Sequence, residues 1–356
     1  MAIYKRTAGI TALWCLIWHT CAQTTTASAR WPTQTFVTEP GLHPPQAAIN
    51  HTDDSALAPG LVIFSQDGTY APESVALIMD RKGELVWQTD PAIGDLQYLS
   101  PFTLFGDNVL VGWAGTSDNV NGDSFGTVTV WNDSYEPIYN ITLSDPQFEQ
   151  LYGRYDSLLN QHEVYITSWG TFLGLVYDPV PANLSAVGGP ENGWIRDGVV
   201  VEIDVETNEL LFVWRASDFI PIEDSVDVHL NSVAKLNGNI VVSSRHTFQA
   251  IYIDRQTGGV KWIIQNTSSG LLARIDENTR HVHFVQRYAD PDDAVSVSSG
   301  GSYQPQPNGH VVVCHASQPV VKEYAEDGSR DPGQTQRSKV LNVIEVALCW
   351  SSTLFL

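Results

Sequence analysis

The sequence predicts an all-β chain built as a β-propeller, and three observations carry that prediction. Short β-branched or aromatic runs bounded by turn residues recur throughout, no window of 15 residues past the N-terminus keeps a 3.6-residue apolar period, and one hairpin unit repeats. Leu61-Val62-Ile63-Phe64, Ser74 to Met79 and Thr127 to Trp131 are the clearest strands. The repeat starts at Leu77-Ile78-Met79-Asp80, turns at Lys82-Gly83 and closes at Leu85-Val86-Trp87. It recurs from Val201 through Asp204 and Thr207-Asn208 to Trp214, and from Ile251 through Asp254 and Thr257-Gly258 to Trp262. Asp with Gly or Asn supplies the turn, and the Trp closes an apolar layer. Ala273-Arg274-Ile275-Asp276 with Asn278 is a degenerate fourth copy. Hairpins recurring over such a length suit stacked four-stranded blades, with a pair of β-sandwiches as the alternative. Pro179 to Asn192 reads as a long loop crossing a propeller face.

The chain has 356 residues, 43% hydrophobic and 17% charged, enough for a large core. With 19 Lys+Arg against 40 Asp+Glu its formal charge is -21, a field that repels nucleic acid and anionic membranes. Lys5 and Arg6 precede an apolar stretch from Ala8 to about Trp18 and small residues at Thr20-Cys21-Ala22, the form of a secretory signal peptide over 1–22, with Ala29 as a second cleavage point. That stretch is too short for a membrane span, so no span is expected in the mature chain and the protein is expected to be secreted or at the cell surface. Asn50, Asn132, Asn140, Asn183 and Asn266 are Asn-x-Ser/Thr glycosylation sequons. Cys314 and Cys349 remain after signal removal, their spacing fixes no disulfide, and no Cys/His spacing resembles a metal site.

The densest chemistry runs from His229 through Asn231, Asn237-Gly238-Asn239 and Ser243-Ser244 to Arg245-His246. Cationic and hydrogen-bonding groups packed around one strand suit a site that grips an oxyanion; the alternative is a surface loop and a polar strand end. The i, i+2 spacing of His229 and Asn231 predicts that both share one strand face. His162-Glu163 is a second candidate, otherwise an exposed polar pair on a strand.

These residues resemble the fungal branch of the arylsulfotransferase (ASST-type) family. The matching runs are Val187-Gly188-Gly189-Pro190-Glu191-Asn192-Gly193-Trp194, Glu202-Ile203-Asp204, Phe212 to Asp218, His229 to His246 and the Asp254-to-Trp262 hairpin. Gly83 to Trp87 and His162-Glu163 lie upstream, and Pro307-Asn308-Gly309-His310, Glu323-Tyr324 and Asp327-Gly328 downstream. The similarity covers about residues 32–328. It implies a six-bladed propeller over 32–330 that moves a sulfuryl group from a phenolic sulfate ester to a phenol, through a histidine intermediate and without a cofactor or nucleotide sulfate donor. His229 and Arg245 fall on its sulfate-binding positions, Asn231 adds a hydrogen bond, and His162 is placed to protonate the departing phenolate. His246 is read as a neighbour supporting the strand at the substrate site.

The resemblance also exposes gaps. The family's attacking histidine belongs in a Trp-Gln-His-type segment after the Asp254-to-Trp262 hairpin, yet this chain runs from Trp262 almost directly to Ser269-Gly270. His281, His283, His310 and His315 are the remaining histidines downstream, and nothing singles one out. The closing blade is also missing, replaced by a divergent tail over 331–356, which suits a final strand, a GPI-type signal, disorder or a misread gene. Loss of that blade predicts exposed strand edges. A transferase and an inactive propeller that binds an anionic aromatic ligand or a protein partner both fit, and oligomeric state is open.

Overall fold

The computed structural model describes residues 31–51, 60–66, 73–94, 96–118, 123–225, 228–245, 247, 249–265, 270–276, 281–288, 302–314, 320–324, 340–345 and 349–355. The signal-peptide region, His246, Asn266 and His315 lie outside them, as do the side chains of Asn50, His281, His283 and Cys349. The chain is a β-propeller of antiparallel sheets. The strands before the second blade are β1 (Ala48–His51), β2 (Val62–Gln66), β3 (Val75–Met79) and β4 (Leu85–Gln88). The second blade is β5 (Leu96–Leu104), β6 (Asp107–Asp118), β7 (Asp123–Trp131) and β8 (Pro137–Ile141). The third is β9 (Tyr165–Ile166), β10 (Thr171–Ala182), β11 (Gly193–Asp204) and β12 (Leu210–Arg215). The fourth is β13 (Leu230–Leu236), β14 (Asn239–Ser244), β15 (Gln249–Ile253) and β16 (Val260–Gln265). A two-stranded sheet of β17 (Gly270–Asp276) and β18 (His281–Tyr288) follows. The last strands are β19 (Ser302–Pro305), β20 (Val311–Cys314), β21 (Val320–Tyr324), β22 (Val340–Glu345) and β23 (Cys349–Phe355).

Among the described residues five sheets are full blades, not the six that the resemblance implied, because there the sheet of β17 and β18 has two strands. Only residues 266–269 separate β16 from β17, too few for two further strands and their turns. The β17–β18 hairpin carries the degenerate repeat at Asp276, and the other copies are each the outer hairpin of a blade: β3–β4, β11–β12 and β15–β16. By that alignment the strands the sheet lacks are its inner, channel-side pair.

The expectation of open edges is also corrected. β23 pairs with β2 in the first blade, and β22 inserts between β21 and β1 in the last. Strands from both ends of the chain therefore share two sheets and close the ring.

The repeat works between blades as well as within them. Asp80, Asp204 and Asp254 each accept two backbone N–H bonds inside their turns. Gly83, Asn208 and Gly258 sit there at φ 79°, 60° and 71°. Each such residue rests on the outer strand of the preceding blade. Trp214 Nε1 donates to the Gly258 carbonyl at 3.0 Å, and Asn208 Nδ2 to that of Asn140 at 3.1 Å. Gly83 packs on Ala47, where a Cβ would lie 2.7 Å from that of Ala47. The second blade has a disguised copy: Asn132 accepts from Ser134 and Glu136, and Tyr135, at φ 62°, stacks on Trp87 with centroids 4.7 Å apart. The apolar clusters lie between blades too, one centred on Trp113, Phe148 and Phe172, the next on Trp214, Leu230 and Ile251. The stretch from Pro179 to Asn192 is not one loop: Pro179 to Ala182 extend β10, pairing with Gly193 to Arg196 of β11. Cys314 is buried in β20.

Candidate functional site

The segment entering β9 is pinned from both sides. Trp113 Nε1 and the Gly126 amide both donate to the Leu159 carbonyl, at 2.9 and 3.1 Å. That approach requires glycine, since a Cβ at Gly126 would lie 2.3 Å from the Ala114 carbonyl. The Asn160 amide then donates to Leu175 at 2.8 Å and the Gln161 amide to Ser124 Oγ at 2.8 Å. His162 follows in a turn rather than on a strand.

Asn160 fixes the protons of this site. Its side-chain oxygen accepts the His162 backbone N–H at 3.0 Å, so that atom is the oxygen of the amide. The same oxygen lies 2.5 Å from His162 Nδ1, which must therefore carry a proton. In neutral His162 the lone pair then sits on Nε2, 2.9 Å from His229 Nε2. His229 is the donor in that contact, and in its neutral form the lone pair is on Nδ1. Burial first, then the charges of His229, Arg245 and Arg196, holds His162 down at about 3. His162 is thus neutral at pH 7, and the hydrogen bond runs from His229 to it. Glu163 is pushed up to about 8 by burial and accepts the Val164 amide at 3.1 Å.

His229 is buried just ahead of β13, and its carbonyl accepts the Arg245 amide at 2.7 Å. Arg245 is exposed in the turn after β14, close enough for its charge to act on His162. Asn231 lies within β13, whereas His229 precedes that strand. β13 is bulged between Leu230 and Ser232, so Asn231 and Ser232 both meet Ser243, at 2.7 and 2.6 Å. The site residues that the sequence did hold are thus brought together as His162, His229 and Arg245, with Asn231 beside Ser243.

Four neighbours were missed. Tyr177, on β10, lies with its ring centroid 5.7 Å from His162 and 5.3 Å from His229, and its hydroxyl donates to the Leu230 carbonyl. Burial raises its pKa, keeping it a phenol. Arg196, on β11, sits 5.2 Å above the Tyr177 ring and pairs with Asp123 at 2.9 Å. Tyr98, buried on β5 at φ 64° where that strand is bulged, also bears on Tyr177. Asn160 is the fourth. A charged residue inside the apolar β11 run was a legible signal for Arg196, and Asn-x-His is an Asx-turn pattern; nothing in sequence marked Tyr98 or Tyr177.

Among the described residues no cluster of three or more His, Cys, Asp or Glu is arranged to hold a metal ion, and no helix is long and apolar enough to cross a membrane. What remains is two imidazoles joined by one hydrogen bond, with two arginines and a tyrosine around them.

No curated protein matches the chain. Solved structures resemble it distantly: a protein of unknown function from Bacteroides caccae, 12% identical, TM-score 0.44, covering 83% of this chain and 94% of that one. Myxococcus xanthus glutaminyl cyclase is 12% identical with TM-score 0.36, covering 86% and 97%. The Cps50 (Swd1) β-propeller domain of Myceliophteria thermophila is 9% identical with TM-score 0.35, covering 84% and 75%. The arylsulfotransferase (ASST) family model matches residues 100–267 and 264–332, two stretches that meet where β16 gives way to β17. With most of the chain inside that match, the protein belongs to the arylsulfotransferase (ASST) family.

Proposed function

We propose that this site binds the sulfuryl group of a phenolic sulfate ester and transfers it to a phenol, in a secreted and glycosylated protein. The observation that carries the reading is the His229-to-His162 hydrogen bond flanked by Arg245 and Arg196. Sulfuryl transfer spreads negative charge over three oxygens, and the guanidinium of Arg245, with Arg196 nearby, supplies donors for them. In the cycle, a histidine nitrogen bonds to sulfur as the aryl oxygen–sulfur bond breaks, and the phenolate leaves and takes a proton. An acceptor phenol then attacks sulfur, loses its proton and restores the imidazole. His162 without ligand is neutral and offers a lone pair, so it is no proton donor in that state. The negative charge of a bound sulfate ester counters part of that depression, whose larger cause is burial, and favours uptake of a proton to pass to the phenolate.

A second reading, binding without turnover, is favoured by the two-stranded sheet of β17 and β18. The attacking histidine is expected between Trp262 and Ser269, and among the described residues no inner strands of that sheet follow β16. The secretion reading rests on the N-terminal residues and the sequons. Asn140 and Asn183 are exposed, whereas Asn132 is half-buried and engaged in its turn. One experiment separates the readings: 4-nitrophenyl sulfate with excess phenol, followed by nitrophenolate absorbance and by calorimetry. Nitrophenolate release with phenyl sulfate formation supports transfer; saturable binding alone supports the inactive propeller; neither result removes both.

A further inference from the structure

The ribbon of β10 and β11 has a second chemistry on its other side. Asp178 and Asp197 stand directly opposite each other in register, each 2% exposed. Asp197 is saturated, accepting the Ser217 amide at 3.0 Å and its hydroxyl at 2.8 Å. Asp178 is not. Its Oδ2 accepts Arg215 Nη1 at 2.7 Å, while its Oδ1 is buried with no hydrogen-bond partner among the described residues. Leaving a carboxylate oxygen so placed is costly unless something fills the position.

A cavity of about 420 Å³ adjoins these groups, large enough for a small molecule. Four carboxyl groups line it, Asp178, Asp197, Glu149 and Asp218, against the single guanidinium of Arg215, and residues 179–181 form an apolar wall. Burial raises both Asp178 and Asp197 despite the opposing pull of Arg215.

We propose that this cavity is a binding site for a small organic ammonium, whose N–H donates to Asp178 Oδ1 and whose short apolar body lies along residues 179–181. A guanidinium fits less well, because its planar fork wants both oxygens of one carboxylate and Arg215 already holds Oδ2. A divalent cation is disfavoured by Arg215, whose Nη1 stands 2.7 Å from Asp178 and 3.7 Å from Asp197. The sequence held the clue in Phe212 to Asp218, a run that the sulfuryl site leaves unused.

The test titrates the full chain with n-butylammonium, tetramethylammonium and calcium chlorides at constant ionic strength, read by calorimetry and ligand-observed NMR. The expected result is saturable butylammonium binding, with tetramethylammonium, which has charge but no N–H, at least tenfold weaker. Asp178→Asn is expected to weaken butylammonium at least tenfold. Glu149→Gln with Asp218→Asn, two exposed positions, is expected to weaken it two- to fivefold and decides the matter if the buried variant does not fold. Absence of saturation, equal binding of tetramethylammonium, tighter binding of calcium, or affinity unchanged in the double variant overturns the proposal.

Discussion

The two sides of the β10–β11 ribbon make opposite sites one residue apart. Tyr177 and Arg196 look toward the histidine pair, while Asp178 and Asp197 look toward the acidic cavity. The strand's period of two is what separates them, since successive side chains leave on opposite faces. The same cause, loss of water, acts on both sides with opposite sign: it pushes His162 down to about 3 and both aspartates up. The pH dependence of stability therefore splits. Unfolded His162 takes a proton near its ordinary 6.5 while the folded residue waits until about 3, so the imidazole side loses stability as pH falls through that window. Folded Asp178 and Asp197 hold protons above their ordinary 3.8, so the acidic side loses stability as pH rises out of that range.

Arg245→Ala is the severest test of the difference. Removing one donor to developing sulfuryl charge is expected to cost about 100-fold or more in transfer, or in 4-nitrophenyl sulfate affinity if the chain only binds. Asp178→Asn is expected to leave either quantity within about twofold, and a comparable loss in both variants would show that the faces are not independent. Asp197→Ala comes next. It takes the acceptor from the Ser217 amide and hydroxyl and removes a neighbour of Arg215, for a loss of about 1–3 kcal/mol in urea unfolding. Arg196→Met, which breaks a pair about one-third exposed on each side, is expected to cost under about 1 kcal/mol. Glu163→Gln keeps the acceptor but removes the carboxyl that titrates near 8, and is expected to stabilise the chain by about 1–3 kcal/mol at pH 9 and to do little at pH 5. The smallest effect is proton uptake: binding of 4-nitrophenyl sulfate at pH 7 is expected to take up a fraction of a proton, seen as buffer-dependent binding heat and absent in His162→Gln.

The fold was legible wherever local chemistry repeats. The Asp-led turns and closing tryptophans at Trp87, Trp214 and Trp262 mark outer hairpins because turn geometry and apolar layers are short-range demands. The copy at Asn132 and Tyr135 escaped notice because asparagine does the capping of aspartate and a tyrosine occupies the positive φ. The closure by β22 and β23 was illegible for a different reason: pairing between distant segments leaves no local period. In the site, His162, His229 and Arg245 were readable as polar groups concentrated against apolar strands. Tyr177 and Tyr98 were not, since a tyrosine in a strand is ordinary and a bulge has no residue of its own. The bulge at Asn231, like that at Tyr98, has no residue type of its own and left no mark in the sequence.

The seam between β2 and β23 also sets an order of events. Val62 pairs with Phe355, so the first blade cannot be completed until nearly 300 residues lie between the partners. Closing such a loop in a flexible chain costs on the order of 5 kcal/mol in entropy, none of it returned until the contact forms. The middle blades have only local pairings and can form early, whereas the ring locks only once β22 and β23 have been made. Until then β2, whose first three residues are apolar and all of whose residues are buried in the finished fold, is a bare edge strand. A chain stalled before Cys349 would thus be a folded array with one adhesive edge, and its hazard is joining another copy of itself rather than unravelling.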